Sequence, residues 1–197
     1  MSFLSPLAYT EPAIDQVWNE LRAGDKSALE RIYTSHIKDL FSFGMSLHAD
    51  ETIVKDAIQD VFIDLWNYRF ALSSDVIIKQ YLFKSLSNRI QKELGKNSKR
   101  TSLHWLTDQE NTVASVEDEL VKTQREKEIS QKMGRAMKLL PLRQKEVIQY
   151  LFFEKMSYED TAKMLDITIR STYTLAWKAI SALKKAIIVL ILYFSFL

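Results

Sequence analysis

Segment after segment of this chain places apolar residues at i, i+3 and i+4, and only four glycines and three prolines in 197 residues interrupt them. Long amphipathic runs with so few punctuators favour an all-α protein. At this length the apolar content suits one large or two small domains. The clearest run is "ETIVKDAIQDVFIDLWNYR". It puts Ile53, Val54, Ala57, Ile58, Val61, Phe62, Leu65 and Trp66 on one broad stripe, with Asp56, Gln59, Asp60, Asp64 and Asn67 opposite.

Capping signals place the neighbouring helices. Pro12 and Gly24 bracket a first helix over Ala13 to Ala23, and Asp25 is a suitable N-cap for a second. That second helix, "KSALERIYTSHIKDLFSFGMSL", carries Leu29, Ile32, Tyr33, Ile37, Leu40, Phe41 and Met45 at helical spacing. After the turn-prone "ALSSD", a fourth helix is expected from Val76 to about Leu94, ended by Gly95 and Asn97. These four elements suffice for a small helical domain. From Thr101 to Leu120 there are five acids and no Lys or Arg, which reads as a polar linker. Helix resumes through "EKEISQKMGRAMKLL", and Pro141 is expected to open the next helix, "PLRQKEVIQYLFFE", as a first-turn proline.

The chain has no Cys, so disulfides, thiolate zinc sites and cysteine nucleophiles are excluded together. Glu11 and Asp15 precede any apolar run at the N-terminus, so the expected location is cytoplasmic. The formal net charge of +2 is small, and information lies in how the charge is distributed. In the third helix Asp56, Asp60 and Asp64 recur one turn apart as an acidic ridge. Three carboxylates so placed span about 12 Å, too far for one metal ion, and a basic partner protein suits them better, although a solvated face gives the same pattern. The fourth helix is the reverse. Lys79, Lys84, Arg89, Lys92, Lys96, Lys99 and Arg100 face a single acid, Glu93, with Tyr81 and Phe83 interleaved. Cations for phosphate and aromatic rings for unstacked bases are the ingredients of single-strand binding, while a core face with solvated lysines is the plainer alternative.

"SYEDTAKMLDITIRSTYTLAWKAI" reads as a helix-turn-helix. Ser157 caps a short helix with Asp160 three positions on, Tyr158, Thr161, Ala162 and Leu165 face inward, and "DIT" forms the corner. The following helix presents Arg170, Ser171, Tyr173, Thr174, Trp177 and Lys178 near its start, where such a motif contacts base edges and phosphates. No acid occurs from Ile167 to the end, so nothing there repels phosphate. A packed helical hairpin with a solvated polar face is the competing reading.

Taken together these segments resemble the extracytoplasmic-function group of the bacterial RNA polymerase sigma-70 family. "VKDAIQDVFIDLWNYR" resembles the polymerase-binding segment of region 2, with Asp56, Gln59, Asp60, Val61, Phe62 and Trp66 matching. "YLFKSLSNRIQKEL" resembles the helix that engages the minus-10 element, with Tyr81, Leu82 and Asn88 in register. "LPLRQKEVIQYLFFEKMSYEDTAKMLDITIRSTYTLAWKAISALKKAI" is similar to region 4, through Leu140, Pro141, Val147, Ser157, Tyr158, Ala162, Leu165 and Ile167. Asp166 stands where glycine is usual at the corner, and Leu175, Ala176 and Trp177 stand where many relatives carry arginines. "NRIQKELGK" lacks the usual Asp-x-x-Arg.

The resemblance implies a non-enzymatic protein of two small helical domains, with no cofactor, metal or small-molecule substrate. Region 2 would occupy 11–100, a linker 101–125, region 4 126–187, and an apolar tail 188–197. Asp56, Gln59, Asp60 and Asp64 would bind core RNA polymerase. Lys79, Tyr81, Lys84, Asn88, Arg89 and Lys92 would contact minus-10 DNA, with the loop from Tyr68 to Asp75 capturing a flipped base. Arg170, Ser171, Tyr173, Thr174, Trp177 and Lys178 would contact the minus-35 element. Its partners would be core polymerase, promoter DNA and an anti-sigma factor that is often membrane-bound. The largely apolar 12-residue stretch "AIIVLILYFSFL" is shorter than the roughly 20 residues that span a bilayer, so the expectation is that it continues the last helix. The rival readings are a helix-turn-helix regulator acting without polymerase, and a helical interaction protein with a membrane-associating tail.

Overall fold

Helix ends in this chain are written in short polar side chains and one glycine. In a computed structural model, which describes residues 12–100 and 133–195, α1 (Pro12–Arg22) closes where Gly24 adopts φ +96°, the left-handed geometry that costs glycine least. Its N–H reaches the Leu21 carbonyl at 2.9 Å and that of Asp25 reaches Glu20 at 3.0 Å, which satisfies the last carbonyls of the helix. The Asp25 carboxylate then accepts from the Ser27 amide at 2.8 Å and starts α2 (Lys26–Leu47). Asp50 does the same for α3 (Glu51–Asn67), accepting from Thr52 and Ile53. A single 3-10 turn, Arg69–Ala71, leads toward α4 (Ile78–Arg100).

The chain divides into two compact units, Met1–Ile90 and Gln91–Leu197, and the residues described in both are all-α. In the first, Val54, Ala57, Ile58, Val61, Phe62 and Leu65 of α3 are buried as the stripe predicts, while Ile53 and Trp66 are half-buried. They meet Leu40, Phe43 and Leu47 of α2 and Leu82, Leu86 and Ile90 of α4 in one core, each fully buried side chain contributing about 1.5–3 kcal/mol. Phe43 stacks on Phe83 with centroids 4.4 Å apart. At Gly44 α2 lies close against α3, since a Cβ there would lie 2.5 Å from Val54 Cγ1. The connection between α3 and α4 is tied down to α1. The buried Trp18 indole donates to the Ser73 carbonyl at 2.8 Å, and Arg22 Nε donates to the Leu72 carbonyl at 2.9 Å.

The fourth helix needs correction at both ends: it begins at Ile78 where Val76 is expected, and it runs through Gly95, the predicted stop, to Arg100. A glycine terminates a helix only if it turns left-handed, and Gly24 is the one glycine with positive φ among the described residues. A glycine held in helical geometry costs only about 1 kcal/mol relative to alanine.

In the second unit a helical stretch over 133–139 (α5) leads into α6 (Leu142–Ile148). Pro141 sits one residue before the first helical turn with φ −55° and ψ 147°, and its carbonyl accepts from the Gln144 and Lys145 amides. It therefore caps α6 from outside, one position earlier than predicted. Nor does the helix run on regularly to Glu154. Over Gln149–Phe153 the hydrogen bonding widens to i→i+5, the Glu154 amide reaching the Gln149 carbonyl at 2.9 Å. The chain then turns at Lys155, φ +53°, into α7 (Tyr158–Leu165) and α8 (Ile169–Ser195). Val147, Tyr150, Ala162, Leu165, Ala176 and Ala179 make the centre of this unit. The backbone of α8 stays helical to Ser195, as the tail was expected to. The predicted linker at 101–125 lies outside the described residues.

Candidate nucleic-acid interface

Two turns of chain, one entering α7 and one between α7 and α8, decide what this surface can do. The Ser157 hydroxyl accepts from the Asp160 amide at 3.0 Å and donates to the Asp160 carboxylate at 2.8 Å, a reciprocal cap. Those bonds and Lys163, 3.2 Å away, hold the Asp160 carboxyl below its usual value of 3.8. At the other end Asp166 takes φ +53° and ψ +46°, and the Ile167 amide reaches back to the Ala162 carbonyl at 3.1 Å. Aspartate supports this left-handed corner at modest cost, in place of a glycine. Thr168 then caps α8, accepting from the Ser171 amide at 3.1 Å. The Thr168–Ser171 cap is legible in the sequence as a Thr followed three residues later by a small polar residue, yet it is not among the predicted signals.

This corner fixes which face of α8 points outward. Thr172, Ala176 and Ala179 are buried at i, i+4 and i+7, and their small side chains let the helix sit close to Thr161, Ala162 and Leu165 of α7. Arg170, Ser171, Tyr173, Thr174, Trp177 and Lys178 are all exposed. Tyr173 stacks on Tyr158 with centroids 4.0 Å apart and planes 13° from parallel, so its ring is held in place. The six predicted side chains thus share one accessible surface.

The first unit sorts its predicted residues differently. Asp56, Gln59 and Asp60 are exposed on α3 and Asp64 is half-exposed. Arg89 of α4 reaches across to this ridge, pairing with Asp60 at 3.2 Å and with Asp64 more closely. Beside Gln59 runs an apolar groove of about 790 Å³ between α2 and α3, with Leu29, Tyr33, Ile37 and Phe41 on one wall and Phe62 and Ile63 on the other. The α2 apolar positions predicted from spacing therefore split. Ile32 and Leu40 are core, whereas Leu29, Tyr33, Ile37 and Phe41 line this open groove.

On α4, Lys79 pairs with Asp39 at 3.1 Å, Lys84 is half-buried, and Asn88 and Lys92 are exposed. Tyr81 is half-buried edge-on against Trp18, and burial pushes its hydroxyl above the usual value of 10.0, so it stays protonated at neutral pH. Phe83 is core and offers no platform to a base. The accessible rings are elsewhere. Tyr68 and Phe70, in the turn after α3, are 64% and 68% exposed. The Arg69 guanidinium is sandwiched between Trp66 at 4.0 Å and Phe70 at 4.2 Å.

Comparison with known proteins assigns the second unit. Residues 130–183 match the model of the family described as Sigma-70, region 4. That segment of the second unit is similar to a sigma-70 region 4. The sigma-70 resemblance drawn from the sequence is thereby borne out, as is its all-α, two-part architecture. CnrH, solved in complex with the cytosolic domain of CnrY, is 17% identical and superposes with TM-score 0.61 over 89% of this chain and 97% of its own. The sigma factor RpoE, solved with the anti-sigma factor NepR from Bartonella quintana, is 18% identical with TM-score 0.59 over 90% and 95%. At such identities these two establish the fold. No curated protein matches the chain by sequence. The matched segment carries the helix-turn-helix at Ser157 to Lys178, with Asp166 at the corner. Among the described residues no helix is long and apolar enough to cross a membrane.

Proposed function

We propose that this chain is a sigma factor of the extracytoplasmic-function group, a non-enzymatic protein that joins core RNA polymerase and directs it to promoters. The observation that carries this reading is the α8 surface of region 4. Six polar, cationic or aromatic side chains face outward while the opposite face is locked to α7 by small buried residues. Residues 126–187 then bind the minus-35 element, residues 11–100 act as region 2, and 101–125 connect them.

In region 2, Asp56, Gln59, Asp60 and Asp64 present acceptors to a basic helical partner, the core polymerase, and the apolar groove beside Gln59 receives its non-polar side chains. The exposed rings of Tyr68 and Phe70 precede the α4 residues Lys79, Tyr81, Lys84, Asn88, Arg89 and Lys92. Stacking on such rings is worth about 1–3 kcal/mol per base, enough to hold a nucleotide of the minus-10 strand out of the duplex. Opening then draws on binding energy, without ATP. An anti-sigma factor is the expected inhibitor, since both structural neighbours were solved with partner proteins bound, one of them named as an anti-sigma factor. A cytoplasmic location accords with these partners.

Mixing the purified full chain with core polymerase tests the proposal. Co-elution and promoter-dependent initiation are expected. DNA binding without co-elution would identify instead a regulator acting independently of polymerase, and the absence of both would leave a helical interaction protein.

A further inference from the structure

Over Arg170–Lys178 the outward face of α8 is cationic only at the two ends of that stretch. Arg170 and Lys178 are eight residues apart, about 12 Å along the helix axis, or a little over three base-pair steps. Between them the exposed positions are Ser171, Tyr173, Thr174 and Trp177. Tyr173 is 52% exposed and fixed by its stack on Tyr158, and Trp177 is 69% exposed. The Thr174 hydroxyl already donates to the Arg170 carbonyl at 3.0 Å, which leaves its methyl as the group available to a partner.

Major-groove readout pairs Arg or Lys with guanine and Asn or Gln with adenine. None of those four residue types occurs from Ser171 to Trp177. What the strip offers is apolar edge, and the one apolar group a base pair presents in the major groove is the C5-methyl of thymine. We propose that Tyr173, Thr174 and Trp177 read thymine methyl groups at neighbouring base pairs of the upstream promoter element, while Arg170 and Lys178 hold phosphates on either side. This rests on the reading that α8 enters duplex DNA. The roles divide accordingly. The two cations set register and affinity, and the aromatic strip sets sequence.

The test uses holoenzyme assembled from the full chain and core polymerase, with promoter templates randomised over the upstream element and selected by transcription. Thymine should be enriched at one or more positions of the selected templates. Each such thymine is then replaced by deoxyuridine, which deletes the methyl and keeps every hydrogen-bonding group. Initiation should fall about four-fold per methyl, the equilibrium equivalent of about one buried methyl group. Trp177→Ala should abolish the difference between thymine and deoxyuridine at one position, and Trp177→Phe should keep it. Circular dichroism checks that both variants remain helical.

Enrichment of an upstream sequence that is indifferent to deoxyuridine would overturn the methyl readout and leave the sigma reading standing. Transcribed templates with no upstream enrichment at all would overturn both the methyl readout and the reading that α8 enters duplex DNA. A Trp177→Ala variant that keeps its thymine preference but no longer binds a protein partner would make the aromatic strip a protein-docking surface and would also overturn the proposal.

Discussion

Replacing Gly44 with alanine sets two effects of opposite sign against each other. An alanine in a helix interior is favoured over glycine by about 1 kcal/mol, so local propensity alone predicts stabilisation. Packing predicts the reverse. The new Cβ would lie 2.5 Å from Val54 Cγ1, against a preferred carbon separation of about 3.5–4.0 Å, and Val54 is fully buried with no room to retreat. Overpacking of this kind costs about 1–3 kcal/mol, and a displacement near 1 Å belongs at the upper end. The net expectation is a loss of about 2 kcal/mol.

Val54→Ala removes the offending methyl groups and by itself costs about 1.6 kcal/mol, at roughly 0.8 kcal/mol per carbon. In the double variant the alanine methyl at position 44 fills part of the space vacated at 54. Its stability should return to within about 1 kcal/mol of the parent, which makes the coupling between the two sites about 3 kcal/mol. Urea unfolding of the full chain, with amide exchange resolving α2 and α3 separately from region 4, supplies the three differences. A Gly44→Ala variant as stable as the parent, or additive effects in the double variant, would refute the close approach. The position of the groove and acidic ridge would then lose its explanation, because α2 against α3 is what sets both.

Other consequences are more local. Asp60→Lys should weaken co-elution with core polymerase while leaving the circular dichroism spectrum unchanged, because the side chain is exposed on α3. Ser157→Ala should lower the stability of region 4 by about 1 kcal/mol, measured by urea unfolding, through loss of both bonds to Asp160. The Asp160 carboxyl is held below its ordinary value, so its contribution is complete above about pH 3.8. That contribution is lost as pH falls through the lower folded value, and acid titration of the Ser157→Ala variant should show a weaker dependence. Asp166→Gly should match or exceed the parent in thermal stability, whereas Asp166→Val should fall below it, because the corner requires φ +53°.

Most of this fold was legible where one rule acts alone. Asp25, Asp50 and Ser157 cap helices because their carboxylates or hydroxyl meet backbone amides within three residues, a purely local event, although only Asp25 and Ser157 were read as such. The α3 stripe was legible because a helix buried along one face repeats its pattern faithfully. Legibility failed where tertiary packing chose between equivalents. In α2, Ile32 and Tyr33 are both apolar at allowed spacing, yet one is core and the other is 45% exposed over the groove. Periodicity gives the stripe but not how much of it a neighbour covers. Phe83 misled for a related reason, since an aromatic residue among lysines has the same pattern whether it faces a base or Phe43. The widened turn at Gln149–Phe153 left no trace in residue types at all.

The pairing of Arg89 with the acidic ridge changes how both surfaces work. Three carboxylates one turn apart repel one another along α3, and a cation from α4 reaching two of them offsets that repulsion within the first unit. A partner therefore meets a graded surface. Asp60 and Asp64 already share a guanidinium, while Asp56 and Gln59, nearer the start of α3, have no pair among the described residues. Any partner cation binding at Asp60 must join or displace Arg89, so under the proposed function the strongest new interaction is expected toward Asp56 and Gln59, next to the groove. The same pairing draws on the DNA side. Arg89 is committed to Asp60 and Asp64, and Lys79 to Asp39, which leaves α4 a weaker phosphate-binding helix than its cation count suggests. Under the proposed function, capture of the minus-10 strand would then fall more heavily on stacking at Tyr68 and Phe70, the most exposed aromatic rings among the described residues of this unit.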